Sequence, residues 1–211
     1  MDTSAWRELY KYADGHPCRA TTIYIPLVNE LGTVFCMDFG NAEIQFDNTF
    51  FFLRELEFLD KFKDYDWAPN ILSIDRDNKK VYISWNTDTC NTIINSDRTL
   101  DEVCPNWKTQ LAIIINQLLA AGVYKLTLYP HCFYVDNTGK LRTTDFYGCV
   151  PQHDTQIPIS VVENIMSKSS AHRWAEATAG DTVNFKIFFM RAIEEHIHEW
   201  PGIKLQSLIY E

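Results

Sequence analysis

Three absences narrow what this protein does before any motif is considered. The 211 residues hold no long run of Lys or Arg, and 28 acidic residues outnumber 19 basic ones for a formal charge of -9. Binding a phosphate backbone or an anionic membrane surface depends on clustered positive charge, so neither nucleic acid nor a membrane is an expected partner. No stretch approaches the ~20 uninterrupted apolar residues of a spanning helix. The opening "MDTSAWRELYKYADG" has neither the basic nor the apolar segment of a secretory leader, and a cytoplasmic protein is the expectation. The six cysteines, Cys18, Cys36, Cys90, Cys104, Cys132 and Cys149, include no Cys-x-x-Cys pair. Their scatter through apolar runs reads as free, buried thiols rather than a disulfide framework or a zinc site. Internal repeats and low-complexity segments are missing too.

What is present is material for a core: 46% of residues are hydrophobic and 14% aromatic. "RATTIYIPL" and "GTVFCMDFG" are β-branched and aromatic and predict two antiparallel strands. "DNTFFFLRELEFLDKFKDY" repeats Phe52, Leu56, Leu59 and Phe62 at helical spacing, which predicts a helix over 47–63 with Asp47 or Asn48 at its start. "WAPNILSID" and "KKVYISW" flank Arg76-Asp77-Asn78 as a further hairpin. Residues 86–101 are polar and read as an irregular connection. "NWKTQLAIIINQLLAAGV" predicts a largely buried helix over 106–121 that places Trp107, Leu111, Ile114 or Ile115, and Leu118 on one face and stops at Gly122. A hairpin over 132–145 turns at Asp136-Asn137-Thr138-Gly139. Two helices follow, near 160–178 and 183–200.

This order, and three stretches carried on it, resemble the protein-kinase-like superfamily. "RELEFLDKF" is similar to the family's αC helix, "WAPNIL" to the segment entering its fourth strand, and "LYPHCFYVDNTGKLRTTDFYG" to its catalytic loop, hairpin and metal-binding Asp. The resemblance runs from about Arg19 to Gly148. It implies an α+β, minimal bilobal fold: residues 1–86 as an N-lobe with a small antiparallel sheet and the αC-like helix, and 87–211 as a mainly helical C-lobe.

Phosphoryl transfer needs a Lys on the phosphates, a Glu holding it, an Asp near the attacking hydroxyl, and an Asn and an Asp on the metal. The resemblance puts Asp38 where the Lys belongs and Glu55 where its partner sits, so two acids would face each other and repel. It lays Lys125-Leu126-Thr127 over His-Arg-Asp and Cys132 over the metal-binding Asn. A Thr hydroxyl is no carboxylate base, and a thiol is a poor ligand for magnesium. The glycine-rich turn is reduced to a single Gly in "DGHPCRATTIY". Asp145 alone survives of the metal and catalytic set, and Asp145 with Glu55 are the residual cofactor-binding candidates.

The expected function is therefore that of a catalytically inactive kinase-like module, a pseudokinase, that binds a protein partner, with no cofactor. One alternative is a divergent phosphotransferase using ATP and magnesium, with Asp145 as metal ligand and Glu55 or Asp38 as a second. Another is a structural subunit of a larger assembly. With 66 residues after Asp145 there is no room for a full protein-substrate platform, and so short and eroded a chain would suit a compact viral genome and a host cytoplasm.

Other candidates have plainer readings. His196 and His198 in "EEHIHEW" lie two apart, which on a helix turns them away from each other, so they read as last-turn histidines rather than metal ligands. His131 and Cys132 would point to opposite faces of a strand. His153 and Asp154 read as solvated loop residues. Phe50-Phe51-Phe52 exceed what one helix face buries against a small sheet, which leaves aromatic surface either for a partner or for the N-terminal "AWRELYKY" segment to cover from the other side. Trp85 falls where a bulky ring would fill an adenine site.

Overall fold

A computed structural model of the chain describes residues 6–11, 22–26, 34–40, 48–84, 89–152, 189–190, 193–194, 196–203 and 208. The β-branched segments pair as expected. β2 (Thr22–Pro26) and β3 (Val34–Asp38) run antiparallel with Thr22 opposite Cys36, and β1 (Trp6–Lys11) adds to the free side of β2. β4 (Ile71–Asp75) and β5 (Lys80–Ser84) form a hairpin whose turn is tied by Asp75, which accepts from the backbone N–H of Asn78 at 3.0 Å. Because β5 pairs with β3, the five strands form one antiparallel sheet in the order β1-β2-β3-β5-β4.

Helix α1 (Asn48–Phe62) buries Phe52, Glu55, Phe58, Leu59 and Phe62, while Leu56 is partly buried. Phe52 meets Phe39 edge-on at 6.0 Å, and Phe62 contacts Trp67 and Phe146. Each such ring contributes on the order of 2 kcal/mol through the area it removes from water, plus a smaller amount from ring geometry. The side chains of Phe50 and Phe51, and Trp85, His153, Asp154 and Cys18, lie outside the described residues, and so does the reduced glycine turn.

The second half is more finely divided than the sequence predicted. Two short helices, α2 (Cys90–Ile94) and α3 (Leu100–Val103), form within and just beyond the stretch 86–101 that reads as irregular. Caps explain them: Thr89 accepts from the N–H of Thr92, and Thr99 with Glu102 closes a capping box, which offsets the low propensity of their polar surroundings. Helix α4 (Trp107–Ala120) buries the predicted Trp107, Leu111, Ile114, Ile115 and Leu118. It ends at Gly122, whose φ of +74° suits a residue without Cβ.

Beyond it, β6 (Val123–Lys125) pairs with β9 (Cys149–Pro151), and β7 (Phe133–Val135) with β8 (Leu141–Thr143). Asp136 builds the β7–β8 turn by accepting from the backbone N–H groups of Thr138 and Lys140 and from Arg142 Nε. Arg142 also donates to the carbonyl of Ala68, and the N–H of Thr143 donates to the carbonyl of Trp67. These bonds fasten the hairpin to the loop that follows α1.

Among the described residues the fold is thus mixed α and β, with small antiparallel sheets and the four α-helices α1 to α4. The helix expected at 160–178 lies outside the described residues. Of the one expected at 183–200, helical turns are described at 189–190, 193–194 and 196–197. Trp200, at its expected end, stacks on Trp107 at 5.4 Å and donates to the carbonyl of Leu128. No described helix is long and apolar enough to cross a membrane.

Five cysteines, Cys36, Cys90, Cys104, Cys132 and Cys149, are free and buried. Burial, with the Asp38 carboxylate adding to it, pushes the Cys36 thiol up to about 12, and burial pushes Cys149 to about 12 as well. The thiolate is the reactive form. Iodoacetamide is therefore expected to alkylate Cys36, Cys90 and Cys149 at least about a hundredfold more slowly in the native protein than in denaturant. Peptide mass mapping after timed pulses measures this, and fast native labelling of Cys90 or Cys149 would contradict it.

Candidate functional site

Lys125, the last residue of β6, is fully buried. An ammonium has three donors and no acceptor. All three are used: Nζ donates to Thr127 Oγ1 at 2.8 Å, to the carbonyl of Asp145 at 3.1 Å, and to the carbonyl of Thr144. Thr127 Oγ1 donates in turn to the same Asp145 carbonyl at 3.0 Å. The ammonium also lies over the ring of Phe146 at 5.3 Å. Apolar residues flank Lys125 on the strand, so the charge is held inside by hydrogen bonds rather than by exposure.

These bonds shape the backbone at Asp145. Its φ of 60° and ψ of 51° are left-handed, an uncommon conformation for a residue with a Cβ that costs roughly 1 kcal/mol. The chain then enters a 3₁₀ turn over Phe146–Gly148 and passes into β9. Asp145 is itself fully buried, and its Oδ2 accepts from Thr144 Oγ1 at 3.4 Å.

Glu55 reaches the same place from α1. Its Oε2 accepts from the backbone N–H of Tyr147 at 2.6 Å, and its Oε1 is buried with no hydrogen-bond partner. Burial first, and the Asp145 carboxylate second, push its pKa up to about 8, against the opposing pull of the Tyr147 N–H and the Lys125 charge. Glu55 therefore keeps its proton well above the ordinary carboxylate range.

Asp38 is matched by a cation. Asp38 at the end of β3 lies opposite Lys80 on β5; its Oδ2 meets Lys80 Nζ at 2.9 Å and its Oδ1 accepts from the N–H of Gly40. The compensating cation comes from a strand remote in sequence but adjacent in the sheet. Cys132 is buried in a 3₁₀ turn, Pro130–Cys132, and Thr127 is engaged with Lys125 and Asp145. Magnesium keeps several waters among its ligands. Glu55 and Asp145 present it no solvent-facing oxygen, and among the described residues no three His, Cys, Asp or Glu side chains group as a metal site.

The histidines take different places. His196 lies in the last helical turn, as read, but is fully buried: it accepts from the N–H of Leu128 through Nδ1 at 3.1 Å and lies against the ring of Tyr129. His198 is exposed, so the two share no site. His131 stacks on Tyr129 at 5.0 Å and, with Cys132, belongs to the 3₁₀ turn rather than a strand.

Sequence reasoning placed Lys125 in the catalytic-loop segment but missed its role. The available signal was a single Lys inside the apolar run "GVYKLTLYP". The Asp38–Lys80 pair had none, because the β3–β5 neighbourhood skips over α1 and β4. Comparison with models of known protein families and with curated proteins finds no match for this chain.

Proposed function

We propose that the protein is a catalytically inactive kinase-like module, a pseudokinase that works by binding a protein partner rather than by transferring phosphate. The observation that carries this reading is the use of Lys125 and Thr127, laid by the resemblance over the catalytic-loop triplet, to hold the carbonyl of Asp145. A side chain committed to a buried backbone bond neither accepts a substrate proton nor meets a phosphate. The pairing of Asp38 with Lys80 supports the same reading, since it leaves an acid where the phosphate-binding Lys would stand.

The divergent phosphotransferase remains the second reading, favoured by one observation: Glu55 and Asp145 are close enough for the charge of one to raise the pKa of the other. A thermal-shift titration of the full chain with ATP, with and without magnesium, separates the two. A nucleotide that binds only the native state raises the midpoint by mass action. The expected result is no metal-dependent shift up to millimolar ATP. A shift that requires magnesium and disappears in Asp145→Asn would reverse the assignment.

A further inference from the structure

β4 ends the five-stranded sheet, and no described strand pairs with its outer edge. Such edges are normally blunted by Lys, Pro or inward charges, yet Ile71–Asp75 contains no Lys or Pro. Its one charged side chain, Asp75, is turned into the hairpin by its bonds to Asn78. Two of its aliphatic side chains reach solvent instead: Leu72, skipped by the β5 ladder, is 40% exposed, and Ile74 is 37% exposed.

We propose that this edge is where a second copy of the chain docks, by antiparallel β4–β4 pairing about a two-fold axis at Ser73. The register is self-complementary. Leu72 falls beside Ile74 of the second copy and Ile74 beside its Leu72, while Asp75 falls opposite Ile71 rather than opposite its own counterpart. Other registers centred nearby leave one of the two aliphatic residues facing a polar one.

Charge points to the same occupant. In this register Arg76 and Asp77 of the second copy arrive beside Asn70 and Pro69. There a polar cavity of about 420 Å³ carries Lys63, Asp64, Asp66 and Arg142. A turn bearing one cation and one anion, both exposed, meets a pocket bearing both signs: Asp77 toward Lys63, Arg76 toward Asp64 and Asp66. The ion pairs that Lys63 and Asp66 now make are solvent-exposed and exchange at little cost. By the two-fold, each contact is made twice. This surface is separate from the Lys125 cluster, and the proposal holds whether or not that cluster binds nucleotide.

The test is sedimentation equilibrium of the full chain from about 1 to 200 µM, since a five-residue edge supports only a weak dimer with Kd on the order of micromolar. Ile74→Lys and Asp77→Lys are each expected to weaken the dimer at least about tenfold, with the circular dichroism spectrum and the monomer's melting midpoint unchanged. Lys63→Glu alone should also weaken it, and Lys63→Glu combined with Asp77→Lys should recover part of the loss. A monomer over the whole range would overturn the proposal, and so would a dimer indifferent to both Ile74→Lys and Asp77→Lys.

Discussion

Between about pH 5 and pH 8 the native protein is expected to lose stability as pH rises, and Glu55→Gln is expected to remove most of that slope. In the unfolded chain Glu55 ionises at its ordinary 4.5, whereas in the fold burial and the Asp145 carboxylate hold its proton until about 8. Between these values the unfolded state binds fewer protons than the folded one. The stabilising contribution is therefore complete below about 4.5 and is lost as pH climbs to about 8, by up to about 1.4 kcal/mol per unit. Glutamine keeps the acceptor for the Tyr147 N–H and carries no charge at any pH, so it mimics the protonated form. At pH 8 it should be more stable than the native protein by on the order of a few kcal/mol, and at pH 5 nearly equal. Denaturant unfolding at pH 5, 6.5 and 8 for both proteins measures the difference. Taking that difference cancels other groups that titrate in the window, among them Glu199, which burial also raises. Parallel curves for the two proteins would show that Glu55 is not held neutral.

Loss of the Lys125 ammonium is expected to be the most damaging single substitution in the cluster. Lys125→Ala leaves two buried carbonyls and Thr127 short of a donor, removes the cation that offsets Asp145, and opens a cavity beneath Phe146. Breaking a buried, hydrogen-bonded charge typically costs roughly 3 to 5 kcal/mol. Lys125→Met fills most of the volume without restoring the donors and should cost about 2 kcal/mol. The order Ala worse than Met, both far below native in urea midpoint, is the expected result. A Met variant as stable as the native protein would mean that the three hydrogen bonds contribute no net stability and that Lys125 is kept for another reason.

Much of the local structure was legible because the signals are periodic and short-range. The apolar spacing of Phe52, Leu59 and Phe62, the β-branched runs of β2 and β3, the Asp136 turn and the Gly122 stop each depend on neighbours within a few positions. Helix α3 was legible in principle as well, since Thr99 and Glu102 stand at capping-box spacing within an otherwise polar stretch. The burial of His196 was not legible, because a histidine in a last helical turn looks alike whether solvent or a packed Tyr129 lies beside it.

By itself, then, the sequence determined strands β2 to β5, helices α1 and α4 and the β7–β8 hairpin, in that order, and the free state of the five described cysteines. Only the tertiary structure decided how the remaining charges are matched. Asp38 and Lys80 are 42 positions apart, Glu55 and Tyr147 are 92, and Lys125 lies 20 before the carbonyl it holds at Asp145. The balance of desolvation against pairing that makes Glu55 neutral and keeps Lys125 inside depends on these distances in space. Periodicity reports which face of an element is buried, but not which charge waits on the other side.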